Sequence, residues 1–490
     1  MPRTVRTLCL PLLALFALAL GCREEAPPAH QGPIVLITID ALRADVVGAL
    51  GGSPRAMPAL NGLAAEATWA GRSIAPSSWT VPSMAALFTG LQPWTNKSWY
   101  GGRAVLDQRF VTLPESLKAA GYRTTAFRSN HWLQAEYGYN QGFDEFRYIR
   151  EGKRAEAHLA GLQGGKDFVW IHILPPHAPY VRRDHLLDHL EEVPAELPPK
   201  VRPLDLEPYF DPAVDLPEDK KRVFRALYEL NAAYADQLLG RLLSSLKESG
   251  QWDKTLLVVT SDHGEEFGEN GQIAHGGNLG RALVEVPLVV KLPAGFPRQL
   301  ALTPGRPVAN IRTTPTLVEA AGGKPEPGSA PSLFQPFDKG ALSELYLGNG
   351  VNRFSLVDGD LQLLWESRFA PPEPDYYRAR YEGIGGTPSP PLAEPAQAIF
   401  KRLEDRFARV LPLAGIHNEK PRLSLWHWTP QGMQPVSDPQ GINRMARQLK
   451  NLWLAANGAE SLPGKGGPAP KLTPEQEQEL KALGYVAGGG

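Results

Sequence analysis

Two largely apolar runs, each followed by a carboxylate, constrain the fold more than any other feature of this 490-residue sequence. The first, Ile34–Ile39, precedes Asp40, and the second, Leu256–Ser261, precedes Asp262 and His263. Apolar runs without alternation are typical of strands that a sheet buries on both faces. Open α/β sheets build their sites at the carboxyl ends of such strands. We therefore expect Asp40, Asp262 and His263 to lie together at one sheet edge.

Short apolar runs alternate with helical patterns along most of the chain, including a long amphipathic helix predicted over 220–249. This alternation predicts an α/β fold with a central mixed sheet and helices on both of its faces. Beyond residue 331, strand-like segments and a helix predict a smaller C-terminal α+β subdomain. The predicted organisation is a signal peptide over 1–22, a tether over 23–32, a main domain over 33–330, the subdomain over 331–457, and a flexible linker with a terminal helix over 458–490.

The N-terminus has the pattern of an export signal. Arg3 and Arg6 precede a nearly unbroken apolar stretch from Leu8 to Leu20, which is too short to span a bilayer with ordinary flanks. The following Gly21-Cys22 pair is typical of a bacterial lipoprotein cleavage site, so Cys22 is the predicted lipidation site. We expect an exported protein of the cell envelope, on the periplasmic side or the cell surface, held to a membrane by a lipid anchor. Ordinary secretion and a retained N-terminal anchor are the alternatives.

The overall charge indicates which class of molecule the protein can bind. The 51 basic and 52 acidic residues nearly cancel, whereas a protein that binds nucleic acid electrostatically needs a basic excess. Nucleic acid is therefore not an expected partner. The two cysteines, Cys9 and Cys22, both precede the mature fold, which excludes internal disulfides and cysteine-based metal sites there.

The segment from Ser77 to Gly90 carries a candidate nucleophile. Thr80 stands two residues before Pro82, where a helix can begin. The N-terminus of a helix and a nearby cation both favour the ionised form of a hydroxyl, so Thr80 is a candidate alkoxide. Alternatively, the hydroxyl only caps the helix. Two carboxylates, an imidazole and a hydroxyl also suit a four-coordinate cation, and the predicted ligands are Asp40, Thr80, Asp262 and His263.

These segments together resemble the sulfatase family of the alkaline phosphatase superfamily. The resemblance runs from about Pro33 to Pro293, and its motifs are Leu36–Asp45, Ser261–Asn270 and Val286–Val290. It implies an alkaline phosphatase-like fold, a hydrolase of anionic esters and one divalent metal ion. An imidazole, in place of the asparagine of many relatives, favours manganese or zinc, with calcium or magnesium as alternatives.

Several positions depart from the pattern of the family. Sulfatases carry Cys or Ser where Thr80 stands and oxidise it to formylglycine, which a threonine cannot yield. Met84 replaces the arginine that follows, and Ala41 replaces a second aspartate. Ser129 stands in place of a lysine, and Pro175 in place of an aspartate. The resemblance therefore shifts towards the threonine users of the superfamily, which include phosphodiesterases and phosphoglycerol transferases.

The resemblance also implies roles for residues around the nucleophile. His177 would hold the substrate, and His275 would protonate the leaving oxygen, although each could also be a hydrogen-bonded loop histidine. His172 alternates with core residues, and we interpret it as structural. Further candidates for contact with the substrate are Asn130, His131, Lys291 and Arg43. The alternative for Lys291 is a solvated lysine at the end of a strand. The alternative for Arg43 is an ion pair with Asp45 or Glu66.

Three functions remain open. The leading hypothesis is hydrolysis of a phosphate or sulfate ester through Thr80 and a covalent intermediate. The second is a transferase that passes the same intermediate to an alcohol and modifies an envelope glycan or lipid. The third is a degenerate relative that binds an envelope glycan without chemistry, which would account for the departures from the family pattern.

Overall fold

The structure is a computed structural model that describes residues 27–96, 98, 105–150, 152–210, 214–303, 305–346, 351–368, 422–429 and 432–457. The predicted signal peptide with Cys22, and the predicted linker and terminal helix over 458–490, lie outside the described residues. Within these ranges, no helix has both the length and the apolar character needed to cross a membrane.

The strands and helices are numbered in chain order. The strands are β1 Ile34–Ile39, β2 Trp69–Ile74, β3 Arg123–Arg128, β4 Glu145–Tyr148, β5 Asp167–Ile173, β6 Tyr180–Val181, β7 Lys200–Val201, β8 Leu256–Ser261, β9 Glu266–Phe267, β10 Ile273–Ala274, β11 Glu285–Lys291, β12 Val308–Ala309, β13 Ala341–Tyr346, β14 Val351–Asp358, β15 Leu361–Arg368, β16 Arg422–Thr429 and β17 Gly432–Val436. The α-helices are α1 Pro58–Glu66, α2 Thr80–Thr89, α3 Pro93–Asn96, α4 Leu113–Ala119, α5 Lys153–Ala160, α6 Pro203–Leu206, α7 Glu218–Glu248, α8 Arg281–Val284, α9 Thr313–Ala320 and α10 Pro439–Asn457.

Eight strands form a mixed central sheet in the spatial order β12-β2-β11-β8-β1-β5-β3-β4. Strand β1 lies between β5 and β8 and is parallel to both. Strand β11 is antiparallel to its neighbours β2 and β8, and the other pairs are parallel. The carboxyl ends of the other seven strands therefore meet at one edge, and that of β11 lies at the opposite edge. This confirms the predicted fold class.

Helices cover both faces of the sheet because β1 is apolar on both sides. Val35 and Ile37 pack in a core with buried residues of α1, α5 and α7. Ile34 and Leu36 point to the other face and pack in a core with α2, α4 and α9. The long helix α7 begins two residues before its predicted start and ends one residue before its predicted end.

Strand β2 was not predicted. Its sequence, Trp-Ala-Gly-Arg-Ser-Ile, lacks an apolar run, and four of its six residues are only half-buried. It forms because β11 and β12 supply hydrogen-bonding partners on its two sides. Tertiary pairing here overrides a weak local preference.

The C-terminal subdomain is an antiparallel sheet of β13 to β17 with α10 packed on one face through Met445 and Leu449. It is joined to the main domain close to the start of α2. Ser343 Oγ donates to the Ala75 carbonyl oxygen at 2.7 Å, and the Glu344 amide donates to the Pro76 carbonyl oxygen at 2.8 Å. The subdomain thus supports the segment that leads into the candidate nucleophile.

Candidate active site

The predicted metal ligands converge at the carboxyl edge of the sheet. Ile39 and Ser261 are paired in the register of β1 and β8, so Asp40 and Asp262 leave their strands side by side. Asp40, Asp262 and His263 are fully buried, and one ligand atom from each lies within 4.8 Å of the others. Nε2 of His263 is 3.6 Å from Oδ1 of Asp40 and 3.5 Å from Oδ2 of Asp262.

The donor atoms of this cluster fit a divalent cation. Oδ1 of Asp40 and Oδ2 of Asp262 have no hydrogen-bonding partner among the described residues. The His263 Nδ1–H donates to the Gly264 carbonyl oxygen at 2.7 Å, so the lone pair on Nε2 is left for the cluster. Two buried anionic oxygens without donors are costly, and a cation between them and an imidazole nitrogen would remove that cost.

Burial and mutual charge perturb these groups. Burial would raise the pKa of Asp40, but the histidines His177, His172 and His263 lower it below its usual range. Burial and the nearby Asp40 carboxylate raise the pKa of Asp262 to about 6. Burial lowers the pKa of His263, which favours the neutral imidazole that a metal requires.

Thr80 is the first residue of α2, and the preceding Trp79 is extended. Its hydroxyl does not cap the helix. Instead, Oγ1 lies 3.3 Å from Nε2 of His263, which brings the hydroxyl to the metal-ligand cluster. The helix tolerates Pro82 because residues of the first turn need no backbone N–H. Thr80 therefore presents its hydroxyl at the positive end of a helix dipole.

A chain of polar side chains orients Asp40. Asn130 Nδ2 donates to Oδ2 of Asp40 at 2.6 Å, and Nε2 of His172 lies 3.2 Å from the same oxygen. Nδ1 of His172 is bonded to the Thr38 hydroxyl at 2.9 Å, and the Trp170 indole donates to that hydroxyl at 3.0 Å. His172, interpreted from sequence as structural, thus contacts a candidate ligand. This contact follows from the position of His172 opposite Thr38 on the neighbouring strand, which the sequence alone does not show.

His177 and His275 lie next to the cluster. The His275 ring centroid is 4.5 Å from that of His263 and 5.0 Å from that of His177. The His177 Nδ1–H donates to the Ala178 carbonyl oxygen at 2.6 Å. The structure therefore brings both histidines close to His263, which contacts the Thr80 hydroxyl.

Glu265 was not singled out from the sequence, yet its carboxylate Oε1 is 2.9 Å from Nδ1 of His275. The two residues face each other because β9 and β10 form a hairpin in which Glu266 pairs with Ala274. Glycines at 268 and 271, both with positive φ, make the turn. The spacing of these glycines in the sequence indicates a turn, but it does not by itself pair Glu265 with His275.

The loop after His275 is fixed on two sides. The Gly276 amide donates to the Ser78 carbonyl oxygen at 2.9 Å, which ties the loop to the segment before Thr80. From the C-terminal subdomain, the buried Gln362 side chain donates to the Leu279 carbonyl oxygen at 2.8 Å. Arg353 of the same subdomain donates to the Gly277 carbonyl oxygen.

The structure does not bring Arg43 or Lys291 to the site. Arg43 is ion-paired with Asp45 at 2.6 Å, which is the alternative given above for this arginine, and with Glu269. Its guanidinium also donates to the Glu265 carbonyl oxygen at 2.8 Å, so it is fully engaged beside the site. Lys291 donates to the Trp252 carbonyl oxygen at 2.7 Å at the opposite sheet edge, because β11 runs antiparallel to β8. The expectation that either residue contacts the substrate is corrected accordingly.

His131 lies close in sequence to Asn130 but differs in its contacts. Its ring packs against Tyr148, with centroids 5.2 Å apart, and its Nε2 is 3.4 Å from the Tyr148 hydroxyl. Asn130 therefore reaches Asp40, whereas the described contacts of His131 lie with β4.

Known proteins share both the sequence pattern and the fold. The family model described as Sulfatase matches residues 33–155 and 152–323. PehA, a multifunctional alkaline phosphatase superfamily protein of Trinickia caryophylli, is 30% identical over 197 residues, which cover 35% of this chain and 37% of PehA. Choline-sulfatase of Rhizobium meliloti (strain 1021) is 33% identical over 158 residues, which cover 30% of each chain. These alignments span about a third of each relative's length.

A solved structure extends the likeness over nearly the whole fold. The putative sulfatase yidJ from Bacteroides fragilis superposes with a TM-score of 0.61 at 16% identity and covers 89% of this chain and 98% of its own. At 16% identity the likeness shows the fold alone. The match to the family model covers more than half of the sequence and includes the strand-end carboxylates, the segment of Thr80 and both site histidines. The chain therefore belongs to the sulfatase family.

Proposed function

We propose that this chain is a metal-dependent hydrolase of phosphate or sulfate esters with Thr80 as its nucleophile. The observation that carries the proposal is the 3.3 Å contact between the Thr80 hydroxyl and Nε2 of His263, beside two carboxylate oxygens without partners among the described residues. The proposed ligands of the ion are Asp40, Thr80, Asp262 and His263. Manganese or zinc suits this mixed oxygen and nitrogen set, and the bound ion would lower the pKa of the hydroxyl and polarise the ester.

The side chains then have distinct roles. Thr80 Oγ1, as the alkoxide, forms a bond to phosphorus or sulfur while the bond to the leaving oxygen breaks. His177 holds a nonbridging oxygen, and His275 donates a proton to the leaving oxygen. Water then cleaves the ester on Thr80, which releases the inorganic acid or a monoester and regenerates the hydroxyl. Because a threonine cannot become formylglycine, a phosphodiesterase-like reaction is favoured over the reaction of formylglycine sulfatases.

The setting of the reaction is also a proposal. The apolar segment that ends at Cys22 supports export and a lipid anchor in the cell envelope. An anchored esterase meets envelope glycans and lipids, so these are the proposed sources of its anionic ester substrate.

A trapping experiment tests the nucleophile. The mature protein, Thr80→Ala and Thr80→Ser are purified, their metal content is measured by elemental mass spectrometry, and aryl phosphate, phosphodiester and aryl sulfate esters are supplied. Rapid quenching and peptide mass analysis should show a phosphoryl or sulfuryl group on Thr80 in the wild type. Thr80→Ser should carry the same group on its introduced hydroxyl, and Thr80→Ala should form no adduct.

The outcomes separate the open hypotheses. About one equivalent of manganese or zinc, with an adduct that water resolves, supports hydrolysis. An adduct that persists until an alcohol is added indicates a transferase. Turnover by Thr80→Ala would refute the nucleophile, and failure to bind either metal would favour the non-catalytic binding protein.

A further inference from the structure

Glu265 is a fully buried carboxylate with two directed hydrogen bonds. Its Oε1 accepts from His275 Nδ1 at 2.9 Å, and its Oε2 accepts from the Tyr180 hydroxyl at 2.9 Å. Tyr180, in β6, is also fully buried. Both oxygens are thus fixed from opposite sides, and a buried carboxylate so held has little freedom to turn.

The Glu265 carboxylate determines which ring nitrogen of His275 faces the site. A carboxylate can only accept, so Nδ1 of His275 carries the proton of that hydrogen bond. Nε2, on the other side of the ring, is left for a substrate atom. The ring lies 4.5 Å from that of His263, which itself contacts Thr80.

His275 also lies on the open side of the site. Its side chain is 14% exposed, whereas Thr80 is 1% exposed and Asp40, Asp262 and His263 are fully buried. A leaving group must depart towards solvent, so the partly exposed histidine is the one placed to meet it.

We infer that Glu265 is a positioning residue that holds His275 with Nε2 directed at the leaving oxygen of the ester. The inference rests on the proposed function, because it requires an ester to be cleaved at Thr80. In the step, the Nε2–H bond breaks, an O–H bond forms on the leaving group, and the bond from that oxygen to phosphorus or sulfur breaks with its electron pair on the oxygen. The Glu265 carboxylate accepts from Nδ1–H throughout the transfer and so keeps Nε2 directed at the leaving oxygen.

A purely structural role for Glu265 predicts a different pattern in the loss of activity across substrates. If the carboxylate only anchored Tyr180 and the hairpin, its replacement would slow every substrate alike. If it acts through His275, the loss grows with the basicity of the leaving group, because only a poor leaving group needs a proton in the transition state.

The kinetic test uses a series of aryl esters, of the class the wild type cleaves, with leaving phenols from weakly to strongly acidic. Glu265→Gln should lower kcat/KM by about 10- to 100-fold for the least acidic phenol and by less than about 3-fold for the most acidic. His275→Ala should show the same trend. Because the two residues act as one unit, Glu265→Gln combined with His275→Ala should be no slower than His275→Ala alone.

Glu266→Gln is the matched control. Glu266 is an adjacent buried carboxyl, but its oxygens accept from Asn270 and from Asn278 rather than from His275. Burial raises its pKa to about 8, so glutamine resembles its protonated form at neutral pH. Its leaving-group dependence should match that of the wild type, and metal content and thermal unfolding should be compared for all variants.

A uniform loss across the series, or additive losses in the double variant, would overturn the inference while leaving the proposed hydrolase activity intact.

A spectroscopic test does not depend on turnover. In full-length protein with 15N-labelled histidine, the neutral ring of His275, identified by its absence in His275→Ala, should carry its proton on Nδ1, and Glu265→Ala should lose that preference. A neutral His275 ring in the wild type that carries its single proton on Nε2 would refute the inference. Absence of any ester cleavage by the wild type would instead refute the proposed function.

Discussion

The side-chain amide of Asn130 donates a 2.6 Å hydrogen bond to Oδ2 of Asp40. One carboxylate oxygen is therefore held by the protein, and the other, Oδ1, faces Nε2 of His263. The two oxygens of Asp40 are thus distinguished before any ion arrives.

Asn130→Ala should weaken metal binding because it removes the donor that orients Asp40. Loss of such a supporting hydrogen bond typically costs about 10- to 100-fold in metal affinity. Titration against a competing chelator measures the affinity. Asn61→Ala, which removes a half-buried asparagine hydrogen-bonded to Ala49 and Pro54, should bind the metal as the wild type does. Equal affinities for Asn130→Ala and the wild type would contradict the assigned role.

Asp262→Asn should stabilise the metal-free protein. The amide group would replace an anionic oxygen near Asp40 with a donor, and the other oxygen would still accept from the amides of Ala41 and His263. Relief of the repulsion between carboxylates should raise the midpoint of thermal unfolding by about 1 to 3 °C. Added manganese or zinc should stabilise the wild type but not the variant. A variant less stable than the metal-free wild type would show that the repulsion is not significant.

Tyr228→Phe should destabilise the turn after β1. The Tyr228 hydroxyl donates to the Ala41 carbonyl oxygen at 2.7 Å and accepts from the Arg43 amide at 2.9 Å. Ala41 lies in the left-handed region with φ 57°, an unfavourable conformation for alanine that these bonds support. Loss of the hydroxyl leaves two buried backbone groups without partners and should cost about 1 to 3 kcal/mol in urea unfolding.

Tyr234→Phe is the control for that measurement. Tyr234 lies on the same helix, α7, and its ring packs under the Arg183 guanidinium at 3.5 Å. Its replacement should change the free energy of unfolding by less than about 0.5 kcal/mol. Equal effects of the two substitutions would argue against a specific contribution of Tyr228 to the turn.

Asp236 should make stability depend on pH. It is 2% exposed, and burial raises its pKa to about 6, although the amides of Ala59 and Leu60 at the start of α1 donate to it. Because the folded state holds this proton more tightly than the unfolded state, its contribution is present below about pH 4 and is lost as the pH rises through 6.

The measurement compares Asp236→Asn with the wild type at several pH values. The free energy of unfolding of the wild type, relative to the variant, should fall by roughly 2 to 3 kcal/mol between pH 4 and pH 7. A difference that is constant, or that grows with pH, would show that the hydrogen bonds from α1 outweigh the effect of burial.

Cys22→Ser should release the protein from membranes if the predicted lipid anchor exists. The substitution removes the thiol that would carry the lipid. Fractionation of cells and labelling with a palmitate analogue measure the outcome. Equal membrane retention and labelling of the wild type and the variant would refute lipidation at Cys22.

The sequence predicted what is local to a strand and its end. An apolar run buried on both faces placed Asp40 and Asp262 at a sheet edge, and the order of the motifs brought in Thr80 and His263. The edge that receives Lys291 was not predictable in this way. The run Val286–Val290 has the same pattern whether its strand is parallel or antiparallel, and only its position between β2 and β8 sets its direction.

Contacts between segments that are distant in sequence also could not be predicted from single motifs. Glu265 and His275 meet through a hairpin of two-residue strands, which leave almost no periodic pattern. His172 has the alternation of an ordinary core strand, and its role follows from the neighbouring strand that carries Thr38. Such pairings depend on the sheet as a whole.

The contacts that hold the His275 loop cross the end of the family match. The family match stops at residue 323, and a fragment cut near residue 330 would keep all four proposed metal ligands. It would lose Arg353 and Gln362, which fasten the loop after His275 from beyond that boundary. Such a fragment would keep the candidate metal ligands but leave the His275 loop without these two anchors. The two parts of the chain are therefore coupled in structure, and a change in the C-terminal sheet would displace the loop that carries His275.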